Sequence, residues 1–486
     1  MHYFVWSLPA IALIAAVGSG RTQMLTASLI GVGVALVVAL SAAPAGFCLT
    51  EAGLALARGG WIGWVVVPYI AGGLLFWRMA ARPDGGAAAP APLSDPKARR
   101  RLLFAACFLI GPFAEAATGF GVGIVGAMLL IRRLELRLAA TLTFSLLSQT
   151  MVLWGAMGSG AIFAAAFAQT DATELALNAS PYMAVLNVLW LPLFWRLAKR
   201  EGVDADWRKC ASEAIWLGSA VVLVIAATAF LGPETAMLAA YGPLIVLRYL
   251  ADERPTRAAL LKAARGAAPF AVLIGWLAAT RLIQPLENVL MQTGRMQPFA
   301  GTLEWAPLFH AGTWFIIAAI LTGVLRGHLR ALPSELRETW RTGRTAILTM
   351  VTFSMMAEVL SASGVAAGLA QGVIGLFGRW SIMITPMISA LFGTLTNSAS
   401  AANGLFMSSQ VSLATSAGLN VAAVIALQHM AALAMTMVSP VRIAIACSLA
   451  GTPGREREVY RPIAPFAAAV IGVLLAGSLL IALRVV

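Results

Sequence analysis

Two carboxylates lie deep inside apolar sequence. Glu115 is in GPFAEAATGFGVGIVGAMLL, more than a dozen residues from Arg101 and from Arg132, its nearest charged neighbours along the chain, and Glu358 is in ILTMVTFSMMAEVLSASGV. A carboxylate at the centre of a membrane costs about 2.5–3.5 kcal/mol, so each must accept hydrogen bonds or hold a proton. We predict that Glu115 and Glu358 are proton-coupling residues. The alternative is structural, in which each carboxylate caps a broken helix or pairs two helices.

Small and hydroxyl-bearing residues follow both carboxylates. Glycines in this position can free backbone N–H groups to bind an anion at a helix N-terminus. The Gly-x-Gly spacing is weak on its own, because membrane helices also use glycine for close packing. No strand and helix alternation surrounds it, which excludes a dinucleotide-binding motif. We predict that four of these residues bind substrate: Thr118, Gly119, Gly121 and Ser361.

A polar stretch, TLTNSASAANGLFMSSQ, occupies residues 394–410 between apolar segments. Its density of neutral donors suits recognition of hydroxyl and carboxylate groups. Apolar sequence on both sides favours a re-entrant element that lines a cavity, and the alternative is a loop outside the membrane. We predict substrate contacts from Asn397, Ser398, Asn403 and Gln410.

Arg442 follows Ser439 and a proline within ALAMTMVSPVRIAIACSLAG. A guanidinium is permanently charged and can bind a carboxylate through two nitrogens, so Arg442 and Ser439 are predicted to bind substrate. The rival interpretations pair Arg442 with Glu358 or place it at the membrane surface. His429, with its neighbour Gln428, is a secondary candidate, because a histidine in a helix is more often a satisfied polar contact.

The composition requires a membrane. Of the 486 residues 60% are hydrophobic and only 11% are charged, whereas soluble domains carry about 25% charged residues. The predicted fold class is an all-α polytopic membrane protein with about 12–14 transmembrane segments, since each needs about 20 apolar residues. The longest apolar runs are 24–42, 61–77, 211–231, 267–280, 307–325 and 462–483.

The positive charge of +13 lies between the apolar runs. This distribution indicates orientation signals facing the cytoplasm and argues against nucleic-acid binding. The four cysteines and four histidines are scattered, so we predict no metal, no cofactor and no enzyme activity. The basic segments are 78–101, 196–209, 248–265, 326–344 and 455–461.

The two halves of the chain resemble each other. Residues 113–121 align without a gap on 356–364, an offset of 243 residues that pairs Glu115 with Glu358. The same offset pairs the small-residue stretches 154–160 and 397–403, both predicted to interrupt helices. Paired interruptions indicate the binding site of a transporter. The basic segments before the two repeats are predicted to face the same side of the membrane, whereas an inverted repeat needs opposite sides. Either a re-entrant segment changes the number of crossings or the repeat is parallel.

These features predict six regions. They are N-terminal transmembrane helices (1–80), a cytoplasmic linker (81–101), a first repeat core (102–250), connecting helices and basic loops (251–344), a second repeat core (345–450) and a C-terminal helix (451–486).

Three motifs, in order, resemble the L-lactate permease family. Glu115 with Gly119-Phe120-Gly121 is similar to its E-x-x-x-G-F-G signature, and residues 403–410 are similar to its N-A-L-F-x-S-x-Q segment. Residues 437–447 are similar to its M-I-S-P-x-x-I-A-x-A-C run. The resemblance implies a proton-coupled symporter of lactate, glycolate or a related 2-hydroxymonocarboxylate in the bacterial inner membrane. Its partners would be the organic anion, protons and the lipid bilayer, with self-association left open.

The chain departs from the family at four positions. Ala399, Thr436 and Val441 stand where members carry an acidic residue, a basic residue and glutamine, and Arg442 replaces a small polar residue. We still predict an anionic substrate, and a sulfonate or dicarboxylate becomes an alternative to lactate. Sodium coupling is a second alternative, because unwound carbonyls and Ser or Asn oxygens bind Na⁺. A channel or membrane enzyme is the remaining class.

Overall fold

The computed structural model describes residues 2–19, 22–44, 46–82, 92–119, 121–149, 152 and 154–485. Over these residues the protein is built from α-helices with short 3-10 and π-helical turns, and no strand longer than the isolated bridge between Met296 and Trp305 occurs. The predicted all-α architecture is confirmed. Phe120 of the first motif and residues 83–91 of the predicted linker lie outside the described residues.

Three helices form the N-terminal unit, and the first half of the repeat follows. The N-terminal helices are α1 (His2–Gly18), α2 (Met24–Ala42) and α3 (Leu49–Ala80). The first half contains α4 (Pro96–Ala105), a π-helical turn (Ala106–Ile110), α5 (Gly111–Thr118), α6 (Val122–Ile131), α7 (Leu138–Leu147), α8 (Ser159–Ala168), α9 (Ala172–Arg200) and α10 (Trp207–Leu231).

Connecting helices lead to the second half. They are α11 (Pro233–Glu253), α12 (Arg257–Leu282), α13 (Gln284–Gln292) and α14 (Ala311–Leu325). The second half contains α15 (Leu332–Ala362), α16 (Val365–Phe377), α17 (Thr385–Thr396), α18 (Ala399–Ala417), α19 (Val421–Ala434), α20 (Pro440–Leu449) and α21 (Arg457–Ala482).

Ten helical segments of the described chain are long and apolar enough to cross a membrane. Four shorter apolar helices accompany them, among them α1, α7 and α14. The sequence predicted about 12–14 crossings, and a count above ten requires some of the short helices to cross or to enter the membrane part of the way.

Helix starts follow local sequence. Asp95 accepts hydrogen bonds from the backbone N–H groups of Lys97 and Ala98, and Pro96 occupies the first helical position of α4. Both features favour a helix N-terminus. Helix α4 therefore begins inside the range 81–101 that was predicted as a linker, and its Arg100 is buried against Glu213 of α10.

Helices α3, α14 and α15 pack closely because glycines allow their backbones to approach. A Cβ added to Gly59 would lie 2.5 Å from the Met355 Cα atom, and one added to Gly63 would lie 2.7 Å from the Val351 Cα atom. Gly312 meets the backbone of Pro68 in the same way, at 2.4 Å from its carbonyl carbon. Small residues at such contacts are typical of membrane helix pairs, and this packing joins the N-terminal unit to the second half.

The breaks in the two halves fall at matching places. Gly121 and Gly364, separated by the repeat offset, both adopt left-handed conformations, with φ of +82° and +73°, and each directly precedes a helix. The second pair of interruptions separates α7 from α8 and α17 from α18. Each half therefore has a predicted interruption, but in the second half the break is limited to Asn397 and Ser398, because α18 already begins at Ala399.

Candidate functional site

The break after α5 turns a helix N-terminus toward Glu115. Gly119 and Gly121 have φ of +70° and +82°, conformations that residues with a Cβ rarely adopt. The chain thereby doubles back, and the Glu115 carboxylate accepts hydrogen bonds from the backbone N–H groups of Gly121 (3.1 Å) and Gly123 (2.9 Å). Gly119 and Gly121 form the break. The N-terminus of α6 that follows it can bind an anion, and the Glu115 carboxylate occupies that position in this structure.

Gln149 completes the surroundings of this carboxylate. In the amide orientation that satisfies both of its polar atoms, its nitrogen lies 3.0 Å from Glu115 Oε1 and its oxygen accepts from Ser148 Oγ at 3.2 Å. Glu115 is 6% exposed, so these donors take the place of water. The sequence left two outcomes open for Glu115, and the structure gives it hydrogen-bond donors.

The second half contributes a cation. Arg442 lies in the first turn of α20, and its Nε donates to Asn397 Oδ1 at 2.9 Å. Asn397 ends α17 in a left-handed conformation with φ of +52°, which asparagine tolerates better than most residues. Arg442 therefore connects the break before α20 to the break between α17 and α18.

Arg442 also lies close to helices of the first half of the chain. Helix α20 packs against α6 and α7, and the Glu115 carboxylate is close enough to interact electrostatically with the Arg442 guanidinium. Among the described residues, the guanidinium donates a hydrogen bond only through Nε. Its two terminal nitrogens remain for a carboxylate, which binds a guanidinium best through two parallel hydrogen bonds.

Ser439 lies immediately before α20. Its side chain is fully buried, and its Oγ has no hydrogen-bond partner among the described residues. Buried hydroxyls without a partner are uncommon and call for an explanation. An orphaned hydroxyl three residues before Arg442 is consistent with a ligand that binds between them.

Asn403 and Gln410 are placed differently. The Asn403 amide nitrogen lies 3.2 Å from His429 Nδ1, and Gln428 Nε2 donates to Ser389 Oγ at 2.7 Å. Asn403, Gln428 and His429 are each fully buried, and this network ties α17, α18 and α19 together. Gln410 accepts a hydrogen bond from Thr385 at 3.1 Å, so both predicted substrate residues contact protein here.

Glu358 forms an ion pair that the sequence did not suggest. Arg58 Nε donates to Glu358 Oε2 at 3.0 Å, and Arg58 Nη1 donates to the Ala300 carbonyl at 2.8 Å. The alternative partner considered for Glu358, Arg442, is not the one observed. Arg58 is the one arginine of α3 that lies away from the helix ends, twenty residues before Arg78 in the last turn, and that position was the available signal.

The remaining predicted residues have local roles. Thr118 Oγ1 donates to the Ala114 carbonyl at 2.6 Å within α5. Ser398 caps α18 by accepting from Ala401 N at 3.1 Å. Ser361, the repeat mate of Thr118, is exposed near the end of α15. The structure therefore brings together Glu115, Gly121, Asn397, Ser439 and Arg442, and it places the other predicted residues around this group.

The structure contains a second polar cluster, of which the sequence analysis had no indication. Glu234 of α11 accepts a hydrogen bond from Tyr69 Oη at 2.9 Å and is paired with Arg281 of α12. The His310 ring lies against Tyr69, with 3.9 Å between the ring centroids. Glu234 and Arg281 each stand near the end of an apolar run, where a charged residue ordinarily marks a membrane boundary. Among the described residues, no group of histidine, cysteine and acidic side chains is arranged to bind a metal.

Comparison with known proteins finds bacterial permeases of similar sequence. The L-lactate permease family model matches residues 268–485. The L-lactate permeases of Salmonella typhi and Escherichia coli strain K12 are each 24% identical to this chain over 73% of it and 73% of their own length. The glycolate permease GlcA of E. coli strain K12 is 25% identical over 57% of this chain and 49% of its own length.

These relatives agree with the architecture. They are bacterial permeases, a name that indicates a transporter, and the protein described here has ten helical segments suited to crossing a membrane. The chain is therefore a multi-pass protein of the bacterial inner membrane. The family model matches the second half of the chain and the two L-lactate permeases match 73% of its length, so the chain is similar to the L-lactate permease family over most of its sequence.

Proposed function

We propose that this protein is a proton-coupled symporter of lactate or a related small 2-hydroxymonocarboxylate. One observation carries the proposal: Arg442 has terminal nitrogens available beside the breaks of both halves, with Asn397 as its neighbour. A small carboxylate is the natural ligand for such a guanidinium. The names of the relatives, lactate and glycolate permeases, support a 2-hydroxymonocarboxylate.

Ser439 supplies the second element of recognition. A 2-hydroxy acid carries a hydroxyl next to its carboxylate. The buried Ser439 Oγ can donate a hydrogen bond to that hydroxyl or accept one from it. The proposed binding mode places the carboxylate on Arg442 and the hydroxyl near Ser439. Asn397 then orients the guanidinium through Nε, which leaves the substrate-facing nitrogens in a fixed plane.

Glu115 is the proposed proton site. In this proposal the ionised carboxylate is stabilised by the two backbone N–H groups that donate to it and by the positive charge of Arg442, whose helix α20 packs against α6. An anionic substrate that binds Arg442 takes over part of that stabilisation, which makes proton uptake by Glu115 easier. This competition would couple the entry of one anion to the entry of one proton. The buried carboxylate would then have a function in transport in addition to capping a helix.

The test is uptake of labelled lactate into proteoliposomes with an inward proton gradient and no sodium. We expect gradient-driven uptake by the wild type, and loss of it in Arg442→Ala because the anion site is removed. Glu115→Gln should lose the gradient response and retain exchange of external for internal lactate, because the substrate site is kept. Arg484→Ala, an exposed arginine near the C-terminus, is the control and should behave as the wild type.

Other outcomes point to other functions. Uptake that requires a sodium gradient would contradict proton coupling. Movement of a sulfonate or dicarboxylate in preference to lactate would retain the carrier and change its substrate, in line with Ala399, Thr436 and Val441 at positions where family members carry other residues. Conduction that no gradient can concentrate would indicate a channel.

A further inference from the structure

A large groove lies on the membrane-facing side of the connecting helices. It has a volume of about 1550 Å³ and runs between α12 and α14 to the end of α3. Pockets for small molecules are usually about 300–1,000 Å³, so this groove suits a larger and more extended ligand. It lies apart from the breaks that surround Arg442.

The walls of the groove are apolar and open to lipid. Only 6% of the most apolar window of α12 is buried, against 22% or more for each of the other nine candidate spans. Leu261, Val272 and Leu321 line the groove with exposed fractions of 52%, 71% and 54%. A helix this poorly covered by its own chain is in contact with lipid or with a partner.

One end of the groove is basic. Arg82, Lys262, Arg265 and Arg326 line it there, and no acidic side chain of the described residues lines it anywhere. Two of these cations already have partners, since Arg82 pairs with Glu335 and Arg326 donates to the Ala80 carbonyl.

Lys262 and Arg265 remain available at this end. Neither side chain makes a hydrogen bond or ion pair within the described part of the chain, although the Arg265 carbonyl accepts from Arg326. Both side chains are exposed. By the positive-inside rule this end of the groove faces the cytoplasm, where we expect the two cations to meet the lipid headgroups.

The length of the groove matches one leaflet. From Arg265 to Trp276 the helix rises about 16 Å, and half of a hydrocarbon core is about 15 Å. Trp276 and Trp314 meet edge to face at the far end, with 4.8 Å between ring centroids. The groove therefore begins among cations at the cytoplasmic surface and ends on aromatic rings one acyl-chain length away.

From this combination we propose that the groove binds an anionic phospholipid of the cytoplasmic leaflet. The phosphate contacts Lys262 and Arg265, and an acyl chain lies along α12 and α14 toward the two tryptophans. Apolar walls alone would accept any lipid, whereas the unpaired cations select a negative headgroup. This proposal does not depend on which anion the protein transports.

Lipid retention measured by native mass spectrometry tests the proposal. The purified protein is mixed with dioleoyl-phosphatidylglycerol or with dioleoyl-phosphatidylcholine, which carry the same chains and differ in net charge. We expect the wild type to retain phosphatidylglycerol in preference, and the double variant Lys262→Ala/Arg265→Ala to retain it roughly thirtyfold less, as expected for loss of about 1 kcal/mol per cation near the surface.

Two further variants separate charge from shape. Gly266→Leu keeps every charge and projects into open space, because an added Cβ meets no atom within 4 Å. It should fill the groove and lower retention while the protein stays folded. Arg457→Ala/Arg461→Ala removes two exposed cations at the start of α21 and is the matched control, which should retain lipid as the wild type does.

Three results would overturn the proposal. They are equal retention of the two lipids by the wild type, unchanged phosphatidylglycerol retention in both groove variants, and a dimer without bound lipid that cross-links through Gly266→Cys. The last result would identify a second copy of the chain as the occupant of the groove.

Discussion

Ser439 is the residue that most directly tests the binding mode. Because its buried Oγ has no protein partner, Ser439→Ala removes no observed hydrogen bond and should leave stability almost unchanged. Loss of one hydrogen bond to substrate costs about 0.5–1.5 kcal/mol, so the KM for lactate uptake should rise roughly two- to tenfold. Uptake kinetics in proteoliposomes, with melting temperature measured in parallel, give both quantities.

Ser478 provides the control for this prediction. It is also fully buried with an Oγ lacking a partner, but it lies near the C-terminal end of α21, in a helix that has no predicted substrate residue. Ser478→Ala should keep the wild-type KM. Equal KM values for Ser439→Ala and the wild type would remove Ser439 from the substrate site.

At the residue scale, the sequence was most informative where a charge had no local partner. The isolation of Glu115 required donors, and the neighbouring glycines Gly121 and Gly123 supply them. The partner of Glu358 was out of reach of such reasoning, because Arg58 lies 300 residues away along the chain. Pairing across that separation depends on the packing of α3 against α15, which local patterns do not encode.

The contact between α5 and α6 is the element on which the Glu115 site depends. A Cβ at Gly123 would lie 2.6 Å from the Gly111 carbonyl oxygen and 2.7 Å from the Glu115 Cβ atom. Gly123→Ala should therefore push α6 away from α5, cost about 1–3 kcal/mol and abolish gradient-driven uptake. Thermal unfolding and uptake of the purified variant measure the two effects.

Gly126→Ala is the companion variant, one turn further along α6. An added Cβ there meets nothing within 4 Å, so stability and uptake should both be close to those of the wild type. If Gly123→Ala also transported normally, the close approach of the two helices would not be needed for the proposed coupling.

At the element scale, apolar runs located helices and underestimated the length of those that carry charged turns, such as α3 and α12. The run 61–77 became α3, which begins at Leu49. Its first turns carry Glu51, which accepts from Cys48 N, and Arg58, which is paired with Glu358. Hydropathy alone leaves such turns out of the predicted membrane helix, because it does not take account of the partners that neutralise their charges. The π-helical turn before α5 left no recognisable pattern in the sequence either.

For the whole molecule, the arrangement implies a site that belongs to neither half. Glu115 comes from the first half and Arg442 with Asn397 from the second, although the family model matches only residues 268–485. The repeat offset predicted that both halves would contribute breaks. It could not predict which break would contain the cation. The residue at the repeat offset from Arg442 is also a cation, Lys199, but it lies in the last turn of the continuous helix α9 and not at a break.

Dividing the chain between residues 254 and 255, in the short connection from α11 to α12, tests this shared site. Neither 1–254 nor 255–486 alone should transport lactate, and their co-expression should restore gradient-driven uptake. Helices α8 and α9 of the first fragment pack on α18 and α19 of the second, and this apolar contact drives reassociation. A co-purifying pair that carries Arg442→Ala should stay inactive. Transport by 255–486 alone would show that the second half contains a complete site, and Glu115 would then be a helix cap.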